Sequence, residues 1–155
     1  MMGSGGKIEL AAPMSDDERR DYEIHVRGQY GVGLSCQVKS ATTLHRMSKN
    51  VRYLNIFFDV REDRLVNSPF FWYFLAYLDL DLMGLADPTF LVPSTDFHRL
   101  AAPILHDGVW RFSMAASMET KSRDRWNRYR VPALELGQRM LQIGKDLRSR
   151  TRKPA

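Results

Sequence analysis

The chain has 155 residues, 44% of them apolar and 26% charged, and 23 Lys and Arg against 18 Asp and Glu leave a net charge of +5. That length and composition suit one soluble globular domain with one core. The longest apolar run, FFWYFLAYL at 70–78, is far too short to cross a bilayer. A single cysteine, Cys36, excludes an intramolecular disulfide and fits a cytoplasmic protein.

The charge is uneven. Residues 121–155 hold eleven Lys or Arg against three Asp or Glu, while the remainder of the chain is slightly acidic. A basic C-terminal segment points to a polyanionic partner. Arg123, Arg125, Arg128 and Arg130 are its candidate nucleic-acid contacts, with Trp126 and Tyr129 among them as aromatics able to stack on bases. A solvated helix ending in a basic tail explains the same residues without a partner.

Residues 1–18 lack an apolar run and read as a disordered lead-in. A single domain is expected over 19–150, with a basic tail at 151–155. In RRDYEIHV (19–26), Tyr22, Ile24 and Val26 alternate with Asp21, Glu23 and His25. RGQYGVG supplies a turn, and LSCQVKS returns with Leu34, Cys36 and Val38 opposite Ser35, Gln37 and Lys39. This is a hairpin with one apolar and one polar face. ATTLHRMSKN is a connection with one helical turn, and RYLNIFFDV (52–60) is another strand.

FFWYFLAYLDL has no alternation and is rich in aromatic residues, so it reads as a strand buried on both faces. MGLADP breaks it and TFLV is a short strand ended by Pro93. Ser94 caps a short helix carrying His98. GVWRFSMAA (108–116) is a final strand, followed by a polar connection. Pro132 suits the first turn of a closing helix whose Leu136, Met140, Ile143 and Leu147 form an apolar stripe. Gly137 and Gly144 each weaken that helix by roughly 1 kcal/mol relative to alanine. The order of elements predicts an α+β domain with a mixed central sheet, opened by a hairpin and flanked by helices.

The polar face of the hairpin gathers Asp21, Glu23, His25, Gln37 and Lys39. Carboxylate and amide oxygens beside a lysine suit a divalent metal that polarises a phosphate and generates hydroxide. The bland reading is the solvated face of an edge hairpin, with Lys39 paired to Glu23. The four histidines show no zinc spacing. Asp79, Asp81 and Asp87 are explained by a strand-end turn.

An acidic residue on one strand, a tight turn, then Gln37-Val38-Lys39 on the next resembles the PD-(D/E)XK nucleases, a restriction-endonuclease-like superfamily. QVKSA, FWYFLAYLDLD, FLVPSTDFH and SRDRWNRYRVPALELGQRML extend the likeness to bacterial domains of unknown function in that superfamily, over roughly residues 19–147. The resemblance implies a Mg²⁺-dependent, or Mn²⁺-dependent, hydrolase acting on DNA. Asp21, Gln37 and Lys39 would be its catalytic residues. Asp21, Glu23, Gln37 and the Val38 carbonyl would hold the metal, and Lys39 would act on the attacking water. Gln37 stands where an acid is commoner, and the opening helix of the fold has only SDDERR in its place. Both departures favour the alternative, an inactive nucleic-acid-binding or protein-interaction module of the same fold. A homodimer or a larger assembly is expected from a hairpin that opens the ordered chain uncovered.

Overall fold

A computed structural model describes residues 4–12, 20–46 and 51–151, with the backbone alone at 29–32 and 151. SDDERR therefore lies outside the described residues except for Arg20. The fold is α+β, with a mixed sheet and two helices.

The expected hairpin is present. Strands β2 (Tyr22–Val26) and β3 (Gln29–Ala41) pair antiparallel, with Tyr22 opposite Cys36 and Ile24 opposite Leu34. Residues 8–11, expected within a disordered lead-in, instead form β1 (Ile8–Ala11), which pairs along the outer edge of β2. Its four residues are too few to display a period, yet Ile8 is buried. The edge of β2 is thus covered by the chain's own strand, which removes the uncovered hairpin from which self-association was argued.

A sheet of six strands runs β1-β2-β3-β6-β7-β10, comprising also β6 (Phe71–Asp79), β7 (Gly84–Pro93) and β10 (Arg130–Val131). β6 lies parallel to β3, with Gln37 beside Tyr73 and Lys39 beside Leu75. Its continuous apolar sequence has the expected cause, burial on both faces. Phe71, Tyr73 and Leu75 enter one core cluster, and Phe74 and Ala76 the other. Truncating Leu75, fully buried, would cost about 2–5 kcal/mol. β7 begins earlier than expected: Gly84, Leu85 and Ala86 already pair with β6, Asp87 and Pro88 fall at a shift of register rather than ending the strand, and residues 80–83 make the turn.

A second, antiparallel sheet of four strands was not anticipated. It runs β4-β5-β9-β8, from β4 (His45–Arg46), β5 (Arg52–Arg61), β8 (Ile104–His106) and β9 (Val109–Ser117). No helical turn occupies the described part of the 41–50 connection. β5 and β9 alternate, and Leu54, Ile56, Val60, Phe112, Met114 and Ala116 turn inward onto the first sheet. Helix α1 (Ser94–Leu100) closes the same layer with Phe97. Ser94 lies inside this helix rather than capping it: its hydroxyl donates to the Ser68 carbonyl and accepts from the Ser68 N–H.

Helix α2 (Leu136–Thr151) covers the opposite face of the first sheet, with Met140, Leu141, Ile143 and Leu147 buried against Ile24, Leu34, Cys36 and Phe74. A Cβ at Gly144 would stand 3.2 Å from Val26 Cγ2. The glycine that weakens the helix locally is what lets it approach β2 so closely. The result is three layers, with β3 in the middle one.

Candidate functional site

β3 carries the expected residues to three different surroundings. Neighbouring strand residues turn to opposite faces. Cys36 accordingly packs toward α2, and Gln37 and Lys39 point to the side occupied by the second sheet. Gln37 is buried, at 8% exposure. Lys39 extends its Nζ to 5.7 Å from the centroid of the Phe58 ring on β5. Glu23 and His25 share the face of Gln37 and Lys39 by register, as expected.

Asp21 sits just before β2 begins. Its N–H donates to the Cys36 carbonyl at 3.0 Å, and its carboxylate Oδ2 accepts from the Val38 N–H at 2.5 Å. The carboxylate therefore continues the hydrogen bonding of the hairpin one step beyond the end of β2. A strand residue turns its N–H and C=O to the same side. The Val38 carbonyl thus faces the edge where Asp21 lies. A carboxylate and a main-chain oxygen share that edge, with Gln37 between them on the adjoining face.

Glu23 is placed differently from the other candidates. Its carboxylate is hydrogen-bonded to the Arg20 guanidinium and lies 3.3 Å from His25 Nε2. It does not pair with Lys39, and among the described residues Lys39 has no carboxylate within ion-pairing distance. The bland reading of a Lys39–Glu23 pair is therefore not what this face forms. The His25 ring closes over Gly33, where an added Cβ would meet its Cε1 at 2.8 Å.

Behind Gln37, the Tyr73 hydroxyl and His98 Nε2 are 3.0 Å apart. Burial lowers the His98 pKa to about 4, so the ring is neutral at neutral pH. Phe58 and Phe97 stack on each other at 5.5 Å and lie tilted against the Tyr73 ring, with centroids 5.4 and 4.7 Å from it. Phe58 and Tyr73 escaped the sequence reading as neighbours of the site. The usable signal was the inward period of β5, which gives Phe58 the phase of Leu54 and Ile56.

Among the described residues no group of three or more His, Cys, Asp and Glu side chains could hold a metal. The donor set that remains is Asp21, the Gln37 amide and the Val38 carbonyl. All are oxygen donors, which fits a hard cation that keeps several of its waters. Asp79 accepts from the N–H groups of Asp81 and Leu82 in the turn expected there, whereas Asp87 lies within β7 and accepts from the Ala133 N–H.

The four arginines divide. Arg123, Arg125 and Arg128 are exposed, although Arg125 donates to the Leu100 carbonyl at 2.7 Å. Arg130 is turned inward: it donates to the carbonyls of Ser117 and Glu119 and lies over the Phe90 ring. It fastens β9 to β7 rather than presenting a cation to solvent. Trp126 is fully buried and Tyr129 nearly so, which withdraws both from base stacking. Among the described residues no helix is long and apolar enough to cross a membrane.

No family model matches the chain, and no curated protein matches it. The fold is similar to that of a bacterial homing endonuclease, I-Ssp6803I, with a TM-score of 0.51 and 15% sequence identity. The similarity covers 90% of this chain and 82% of the other. At that identity the likeness is one of fold.

Proposed function

We propose that the chain is a metal-dependent nuclease that hydrolyses DNA phosphodiester bonds, of the PD-(D/E)XK, restriction-endonuclease-like kind. The observation that carries the reading is the placement along β3 of Gln37 and Lys39 on one face with the Asp21 carboxylate on the Val38 N–H between them, Lys39 having no anionic partner among the described residues. The fold shared with a homing endonuclease supports it.

Asp21, Gln37 and the Val38 carbonyl would hold Mg²⁺ or Mn²⁺, which supplies Lewis-acid polarisation of the phosphate and a more acidic bound water. Lys39 orients the attacking water and offsets negative charge building on phosphorus. Water oxygen bonds to phosphorus, one P–O ester bond breaks, and the leaving oxygen takes a proton to become a hydroxyl. Phe58 holds the Lys39 ammonium by its ring face without neutralising it.

A second reading is favoured by Glu23, whose carboxylate is engaged by Arg20 and His25, and by Gln37, which contributes no charge. It makes the chain a nucleic-acid-binding or interaction module without catalysis.

The test is nicking of supercoiled plasmid in Mg²⁺ or Mn²⁺ by wild type beside Lys39→Ala. Cleavage by wild type, abolished in Lys39→Ala with the melting temperature retained, supports the nuclease. Equal nicking by both, or none by either in either metal, leaves the binding module.

A further inference from the structure

The basic segment after residue 120 has a counterpart that its sequence position conceals. β4 pairs with β5 so that Arg46 stands directly opposite Arg52. Directly opposed residues share a face of the sheet, and like charges there cost stability. Both arginines are exposed, and among the described residues neither has a carboxylate partner.

The pairing of β5 with β9 brings the later segment to the same place. Tyr53 is opposite Ser117, and the Met118 N–H donates to the Arg52 carbonyl at 2.8 Å. The chain therefore leaves β9 beside Arg52 and enters the stretch bearing Lys121 and Arg123, both exposed. The nearby Asp124 is directed elsewhere, 3.9 Å from the Arg130 guanidinium. Its carboxylate accepts from Ser117 N–H, Ser122 hydroxyl and Trp126 N–H, inside its own loop.

We propose that this end of the second sheet is a phosphate-backbone site for nucleic acid, with Arg46 and Arg52 as its principal contacts and Lys121 and Arg123 flanking them. Cations drawn from two segments along one edge match an extended polyanion better than a single bound anion. The proposal rests on the nuclease reading for the identity of the polyanion. It accounts for an arginine pair whose repulsion the folded chain otherwise retains without return.

The experiment is fluorescence anisotropy of two unrelated duplex DNAs in EDTA across a salt series, using the full chain. Compared with wild type, R46A/R52A should bind both duplexes about tenfold or more weakly, and its log K against log salt should be shallower by about 2. Its melting temperature should equal or exceed that of wild type, because a repulsion has been removed. R46K/R52K should retain the salt slope. Wild-type affinity and slope in R46A/R52A, or loss of the slope in R46K/R52K, would overturn the site while leaving the nuclease reading to the plasmid assay. No duplex binding by wild type even at low salt would overturn both.

Discussion

The Lys39 ammonium lies 5.7 Å from the centroid of the Phe58 ring, across the junction of the two sheets. Phe58 is fixed in place by Tyr73, Phe97 and Phe112, at centroid separations of 5.4–5.5 Å. The strand that carries the candidate lysine and the aromatic that positions it thus come from separate sheets. A ring face attracts a cation while leaving its charge uncompensated. A carboxylate in the same place would cancel the charge that a phosphate needs.

That contact predicts a measurable coupling. Phe58→Leu should cost on the order of 1 kcal/mol from repacking of the aromatic cluster. Lys39→Met should change stability by less than about 1 kcal/mol, since the apolar stem is kept. A double-mutant cycle from urea unfolding should give a coupling of about 0.5–1 kcal/mol. Strict additivity would show that the ring does not hold the ammonium.

The Asp21 hydrogen bond to Val38 and its proposed metal ligation are separable, and Asp21→Asn divides them. The amide oxygen can still accept from the Val38 N–H, so the loss of stability should be only about 0.5–1 kcal/mol, the difference between a charged and a neutral acceptor. Saturating Mg²⁺ should raise the wild-type melting temperature through preferential binding to the native state. It should leave that of Asp21→Asn unchanged. An equal rise in both proteins would place the metal elsewhere.

The parts of the fold legible in the sequence are those whose signal is local. Alternation around Ile24 and Leu34, unbroken apolarity through 70–78 and the Met140–Leu147 stripe each record which faces are buried. The second sheet was not legible, because β5 and β9 alternate like any half-buried strands and their choice of sheet is a long-range decision. Ser94 has the sequence of a helix cap, yet its hydroxyl is taken by Ser68, which no local pattern reveals. The site divides the same way. Register on β3 placed Gln37 and Lys39 on one face, but Phe58 reaches them from another sheet. Arg130 reads like Arg123 in sequence, and only the fold turns one inward and leaves the other in solvent.

Cys36 tests how closed the α2 face is. It is 1% exposed, and burial, with the nearby Asp21 charge, pushes its thiol up to about 12. Reaction requires thiolate and access. Labelling of the native protein by a thiol reagent should therefore be very slow at both pH 7 and pH 9, since the thiolate stays a minute fraction of the buried group throughout. In urea it should become fast and follow an ordinary thiol near 8.5. Native labelling as fast as that in urea would mean that α2 lifts from β3 far more readily than its buried stripe implies.

His98 supplies a pH dependence with a definite sign. Burial lowers its pKa from the ordinary 6.5 to about 4. Above pH 6.5 the ring is neutral in both folded and unfolded chains, and it contributes no pH dependence. Between pH 6.5 and about 4 the unfolded chain takes up a proton that the folded one refuses, so stability falls as pH falls. Below about 4 both states are protonated and the loss is complete. Urea midpoints should therefore decline across that window in wild type. The decline should be smaller in His98→Gln, which can keep a hydrogen bond to the Tyr73 hydroxyl without titrating. If both proteins decline by the same amount, the acid sensitivity belongs to carboxylates alone, and the Tyr73–His98 pair contributes nothing to it.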